Sequence, residues 1–289
     1  MPVTIARQGN NLPNGVFLPT IWSKKLNAKY YAQTFLNDIT NSDYEGEIAG
    51  QGSQVNIRQR PTVEVVDHQE DSDIEYQDIS DEMISLSINY AKRFAFKVGD
   101  IDKAQSDIAI LNELTTDAGF QMKISIDQTV LGSIYGSAGT VLPTITLDKT
   151  NVVDWLIDQE VALELNNIPP NQRWAVISPK VAGLIQKSDL KNVSLTGDTK
   201  SIIRSNLNNG RLGEVGGLTL YVSNNLARAG NLYQCVSGHK SAVTYASQIT
   251  KVENVRLERK FGDAVRGLNV YGFKVLIPSG LVSAPVYVN

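Results

Sequence analysis

Cysteine and histidine are nearly missing from this sequence, and their scarcity removes much of the chemistry a chain of 289 residues could host. The single cysteine, Cys235, forbids an intrachain disulfide framework and suits a reducing compartment, so stability has to come from packing and assembly. The two histidines, His68 and His239, stand in unrelated contexts and in no metal-ligand spacing; both read as solvated surface residues. Cys235 and His239 could pair as nucleophile and base, but no third residue is visible to orient them. A buried or strand-facing structural cysteine is the simpler reading.

Long apolar runs are absent as well. Proline, glycine or a charged residue interrupts every stretch before it reaches about 18 residues, so no membrane span is predicted. Met1 to Pro13 lacks the apolar centre of a secretory signal, and the mature chain is expected to start here. The formal net charge is only −3, which gives no bulk attraction for nucleic acid or an anionic membrane. Any contact with DNA has to be local and nonspecific.

The phosphate and nucleophile motifs are missing too. Gly50-Gln51-Gly52 lacks the third glycine and the following helix of a dinucleotide fingerprint, and there is no Gly-Lys-Ser/Thr phosphate loop. Gly132-Ser133 and Gly136-Ser137 do not form a nucleophile elbow. Asp71, Asp73, Glu75 and Glu82 fall on positions 1, 3, 5 and 12 of a calcium loop, yet Tyr76 occupies the glycine position and no helix pair flanks it. A solvated or partner-facing acidic strand explains these carboxylates better. No cofactor, metal or catalytic residue is expected.

What is present is ordinary globular composition, 42% hydrophobic and 20% charged, arranged in an α+β order. Met1 to Pro19 reads as an irregular arm. Trp22, Leu26, Tyr30 and Phe35 recur at roughly helical spacing after it. Val55 and Ile57 then alternate with Asn56, Arg58 and Arg60. The return stretch from Asp67 to Glu82 carries too much charge for a dry core. Ile84, Leu86, Ile88 and Tyr90 alternate with polar residues, followed by Phe94, Phe96 and Val98, so residues 45 to 98 predict one long hairpin with a polar far half and a packed base. Each arm would span about 45 Å.

Asp100 is a plausible N-cap for a helix of about 30 residues, through Ile101, Ala104, Ile108, Leu111, Ala118, Met122, Ile126 and Val130. At about 45 Å it would cross a subunit whose radius of gyration is about 19 Å. A boundary near residue 150 follows the turn-rich stretch Gly136 to Pro143. Beyond it the pattern predicts helices at Val152 to Leu165 and from Ser178-Pro179 to Lys187, and strands at Arg173 to Ile177, Leu218 to Val222, Leu232 to Val236, Val252 to Leu257 and Leu268 to Ile277. Residues 188 to 217 read as an exposed loop with a short helix at Lys200 to Asn206, and Gly262-Asp263 as a turn.

One constellation points outward. A hairpin with a basic arm, Arg58 and Arg60, and an acidic return has almost no apolar surface toward its tip, and an isolated two-stranded hairpin is marginal in water. It needs a supporting surface, which in a lattice is a neighbouring subunit. The candidate inter-subunit contacts are therefore Arg58, Arg60, Asp67, Glu70, Asp71, Asp73 and Glu75, with Trp22 from the helix behind the arm.

The order of these parts resembles the major capsid proteins of tailed bacteriophages. Ile21-Trp22-Ser23-Lys24-Lys25-Leu26, Gly52-Ser53-Gln54-Val55-Asn56-Ile57 and Val98-Gly99-Asp100-Ile101-Asp102-Lys103-Ala104-Gln105 carry the likeness early in the chain. Gly213-Glu214-Val215-Gly216-Gly217, Ser223-Asn224-Asn225-Leu226, Phe261-Gly262-Asp263-Ala264-Val265-Arg266-Gly267 and Tyr271-Gly272-Phe273-Lys274-Val275 carry it late. The resemblance implies a Hong Kong 97-type α+β fold: N-terminal arm and short helix at 1–44, extended loop at 45–82, peripheral domain at 83–149 and 246–289 with a spine helix at about 100–131, and apical domain at 150–245.

It further implies hexamers and pentamers in an icosahedral shell around double-stranded DNA, assembled in the bacterial cytoplasm with a separate scaffolding protein and a portal, and leaves room for a decoration protein. Some relatives cross-link a lysine of the extended loop to a neighbour's asparagine; residues 45–82 contain no lysine, so this shell would be noncovalent. An encapsulin-like compartment resembles the same fold, and a soluble enzyme using Cys235 or the acidic cluster is the alternative from another class.

Overall fold

The computed structural model describes residues 32, 34–43, 54–58, 63, 65, 67, 76–77, 83–99, 109–188, 211–257 and 262–288. Their elements are α1 (Leu36–Ile39), β1 (Gln54–Arg58), β2 (Met83–Ser87), β3 (Tyr90–Gly99), α2 (Ala109–Gly136), β4 (Thr140–Val141), β5 (Ile145–Leu147), α3 (Val152–Leu165), β6 (Arg173–Ile177), α4 (Pro179–Lys187), β7 (Arg211–Val215), β8 (Leu218–Val222), β9 (Arg228–Ala229), β10 (Leu232–His239), β11 (Val243–Arg256), β12 (Gly262–Val275) and β13 (Leu281–Val288).

Helix α2 is 28 residues long, about 42 Å at 1.5 Å per residue. Its buried stripe, Met122, Ile126, Val130 and Ile134 with Leu131, repeats every four residues and carries the helix past residue 131 to Gly136. The expected end is thus one turn short, because Ile134 continues the stripe. Gly119 and Gly132 lie inside the helix without breaking it, and a side chain at either would meet open space. The expected cap Asp100 falls outside the described residues, as does most of the short helix expected around Trp22; Phe35, at its end, is buried just before α1.

An eight-stranded mixed sheet runs β4-β13-β10-β6-β8-β7, with β5 also on β13 and β9 on β10. Strand β6 is central, so all five of its residues are buried. Helix α4 starts where predicted: the Ser178 hydroxyl accepts the Val181 N–H at 3.3 Å, and Pro179 sits in the first turn. Strand β13 escapes prediction because Pro285 argues against an interior strand. Its parallel partners resolve this: β4 pairs with Val282 and Ser283, β5 resumes at Val286, and Pro285 falls in the gap between them.

Three further expectations change. Residues 188–217 are not all loop, since β7 pairs with β8 through a two-residue turn in which Gly216 and Gly217 have φ of +57° and +68°. The expected helix at 200–206 lies outside the described residues. Gly262 and Asp263 are not a turn but the first paired residues of β12, opposite Gly99 and Val98. The boundaries near 150 and 246 do not divide the sheet, because β4 and β5 before the first and β13 beyond the second hydrogen-bond into it.

A separate three-stranded sheet, β11-β12-β3, changes the hairpin reading: β3 pairs with β12 over Tyr90 to Gly99, not with β1. The unpaired Ile88 and Asn89 separate β2 from β3, so the alternating run 84–98 serves two sheets. One face of the β11-β12-β3 sheet, with Phe94, Tyr245 and Tyr271, joins the main core on α2.

Candidate assembly surface

The hairpin survives in shortened form. Strands β1 and β2 pair antiparallel from Gln54 opposite Ser87 to Arg58 opposite Met83. Ile57, Leu86 and Ile88 pack on Ala246 and Val270 as a buried cluster of their own, with Val55 and Leu276 against it. Gly272 makes this seat possible: a Cβ there would stand 2.6 Å from the Ser87 carbonyl oxygen. The hairpin base therefore lies flat on the face of the β11-β12-β3 sheet that α2 does not cover.

At the other end of the pair, Arg58 and Met83 are exposed, as is Asp67 in the connection. Arg60, Glu70, Asp71, Asp73, Glu75 and Trp22 lie outside the described residues, so no geometry joins them to Arg58 and Asp67. The connection also holds what the charge reading passed over. Val63, Val65 and Tyr76 are 59%, 94% and 92% exposed, so the expectation of almost no apolar surface toward the tip is wrong. The signal was legible as Val63-Glu64-Val65, a period-two row inside a charged stretch.

The enzyme residues are taken apart by the same structure. Cys235 is fully buried in β10, and burial pushes its thiol up to about 12, so no thiolate forms near neutral pH. His239 lies four residues along the same strand, about 13 Å away. It is half-buried, not solvated: its Nδ1 accepts the Ser241 N–H at 3.2 Å, and burial, with nearby Arg173, holds its pKa below the usual histidine value. His68 lies outside the described residues. Among the described residues no cluster of His, Cys, Asp and Glu could hold a metal, and no helix is long and apolar enough to cross a membrane.

What remains is a body with two sheets, helix α2 packed against both of them, and a hairpin whose connection displays bare apolar side chains. The sequence model of the phage capsid proteins matches residues 79–284, well over half of the chain. The chain belongs to the phage capsid protein family. Sequence comparison with curated proteins finds no match. Among solved structures, a chain of Mycobacterium phage Che8 superposes with a TM-score of 0.75 at 27% identity, covering 94% of this chain and 98% of that one. A chain of Gordonia phage Cozz gives 0.70 at 11% identity over 100% and 98%, and the capsid of cyanophage P-SCSP1u gives 0.66 at 15% over 94% and 93%. The fold is the α+β Hong Kong 97 type. This capsid protein is a structural subunit of the oligomeric shell of a virion, not an enzyme and not an encapsulin.

Proposed function

We propose that this major capsid protein closes its shell through the extended loop, residues 45–82, which leaves its own body beyond Arg58 and Met83 and lies over a neighbouring copy. The observation that carries this reading is the exposure of Val63, Val65 and Tyr76 in the connection. Side chains of this size lose about 1.5–3 kcal/mol by staying in water, a cost that a covering neighbour removes. Because the loop has no lysine, the contact is noncovalent, with Arg58, Arg60 and the carboxylates Asp67, Glu70, Asp71, Asp73 and Glu75 setting its register. Trp22 completes the set behind the arm.

In the same reading 150–245, with β4, β5 and β13, forms the apical domain around five- and six-fold axes, α2 is the spine of the peripheral domain, and 1–44 is the arm. Such head-to-tail contacts close into hexamers and pentamers when the rotation closes. Assembly takes place in the bacterial cytoplasm on a separate scaffolding protein, with a portal at one vertex and an outer face open to a decoration protein. The packaged double-stranded DNA is contacted without sequence readout, in keeping with a net charge of −3.

The test replaces Val65 and Tyr76 by serine, with Arg58→Glu and Arg60→Glu as a companion variant. Both variants are expected to give folded, soluble subunits without shells. Shells at undiminished yield by electron microscopy would contradict the role of the loop.

A further inference from the structure

A pocket of about 450 Å³, within the size range of small-molecule sites, lies where the segment entering α1 meets α2 and the three-stranded sheet. Its floor is apolar, formed by the buried Phe35, Ile126 and Tyr245. The walls are held in place. The Phe35 ring lies 5.2 Å from that of Tyr221, and the segment is pinned to β11 by the Asn41 N–H on the Val243 carbonyl at 2.8 Å and the Tyr245 N–H on the Asn41 carbonyl at 2.9 Å. Asp38 of α1 and Lys123 of α2, both exposed, line this one pocket, yet no ion pair joins them. Neither has an oppositely charged partner among the described residues; the Lys123 ammonium stands over the Phe120 ring, 5.9 Å from its centre. Strand β12 adds Asn269 where the register of β11 and β12 slips, β11 carrying Ile249 and Thr250 opposite Asn269 alone. The Asn269 Oδ1 is closed to solvent without a hydrogen-bond partner among the described residues, so that oxygen gives up no bond when the amide turns toward a ligand.

We propose that this pocket binds a small zwitterion with an apolar side chain, the chemistry of a free amino acid such as phenylalanine or leucine. The two unpaired charges decide the class. A ligand carrying both signs sets its ammonium on Asp38 and its carboxylate on Lys123, whereas a ligand of one sign answers one of them and leaves the other. Asn269 supplies a further acceptor for the ammonium. The apolar side chain lies on Phe35, Ile126 and Tyr245, where its removal from water supplies most of the affinity and the charges supply the selectivity. A peptide terminus fits less well, since it carries only one of the two charges. A ligand so placed spans α1 and α2. It binds only while the segment entering α1 lies on the long helix, so occupancy stabilises that arrangement increasingly as ligand concentration rises. The pocket thereby ties the root of the arm to the subunit body, independently of how the extended loop meets its neighbour.

Calorimetric titration of the full-length subunit with L-phenylalanine tests this, alongside phenethylamine, which lacks the carboxylate, and hydrocinnamate, which lacks the amine. Saturable binding of L-phenylalanine is expected, about tenfold tighter than that of either relative, with a melting temperature that climbs as its concentration rises. Lys123→Met is expected to erase the preference over phenethylamine while keeping the preference over hydrocinnamate, and Asp38→Asn to do the reverse, with circular dichroism native in both. A disturbed fold would weaken all three probes alike, so the crossed pattern reports the two charges themselves, and uniform weakening would overturn their assignment. Equal affinity for the three probes would reduce the pocket to an unselective apolar cleft and overturn the proposal, as would the lack of saturable binding at millimolar concentration. Selective binding that both variants leave untouched would place the ligand elsewhere on the subunit and overturn it too.

Discussion

Asn225 donates a hydrogen bond from its side-chain amide to Asp127 Oδ2 at 2.6 Å, joining residues 98 positions apart in a site closed to solvent. The same carboxyl accepts the backbone N–H of Phe35, so one side chain in α2 fastens the segment entering α1 and the loop after β8. Its second oxygen is buried without a partner among the described residues. Burial outweighs both hydrogen bonds and raises its pKa from the usual 3.8 to about 6.

This raised pKa sets a direction for stability. Between pH 3.8 and about 6 the folded chain holds a proton that the unfolded chain releases, so stability falls as pH rises through that window and stays at the lower level above it. A shift of this size corresponds to about 3 kcal/mol. Asp127→Asn removes the charge and keeps the acceptor for Asn225. Its melting temperature is expected to exceed that of the unmodified chain at pH 7 and to lose the decline between pH 4 and 6. Parallel melting curves for the two chains across that range would refute the assignment.

The elements legible in advance were those whose signal is local. Val152–Leu165, Arg173–Ile177, Pro179–Lys187 and Leu218–Val222 match their predicted spans because caps, prolines and apolar periods bound them within a few residues. What failed depends on partners distant in sequence. Pro285 looks like a strand breaker until the gap between β4 and β5 is known, and Phe94 belongs to a hairpin until Gly267 is placed beside it. At the candidate assembly surface, charge at Arg58 and Asp67 was visible, whereas the exposed half of the three-stranded sheet is not. Arg93, Ala95 and Lys97 form a surface only once β12 supplies Arg266 and Ala264 in register.

The pairing of Phe94 with Gly267 gives a second prediction. A Cβ at Gly267 would stand 2.3 Å from the Phe94 ring, which lies across the bare glycine of the neighbouring strand. Gly267→Ala is expected to destabilise the chain by about 1–3 kcal/mol by pushing the ring from its place. Phe94→Leu on that background should recover part of the loss, a coupling above about 0.5 kcal/mol in a double-mutant cycle. Strict additivity in chemical denaturation would show that the two do not interfere.

Arg173 separates hydrogen bonding from charge pairing. Its buried guanidinium donates to the Ile168 carbonyl and, at 2.9 Å, to the Pro169 carbonyl, closing the chain just past α3. Its contact with Glu164 is long, 3.7 Å, and the glutamate side chain is 59% exposed. Arg173→Met leaves two carbonyls unanswered and is expected to cost about 3 kcal/mol in thermal unfolding. Glu164→Gln should cost less than about 1 kcal/mol. Equal losses would show that the ion pair, not the carbonyls, is the staple.

The hairpin seat should come loose without the rest of the protein unfolding. Leu86 is fully buried, yet its cluster with Ile57, Ile88, Ala246 and Val270 is distinct from the core around α2 and the eight-stranded sheet. Truncating a buried leucine costs about 2–5 kcal/mol, and here that loss falls on a unit able to open alone. Leu86→Ala should therefore leave the main thermal transition near its original temperature while limited proteolysis between Arg58 and Met83 accelerates and shells fail to form. The loop loses its fixed starting direction, and a loop that leaves the body at a variable angle meets its neighbour too seldom for contacts this weak to accumulate. A single transition that shifts downward as a whole, with proteolysis following it, would instead make the hairpin base part of the main core.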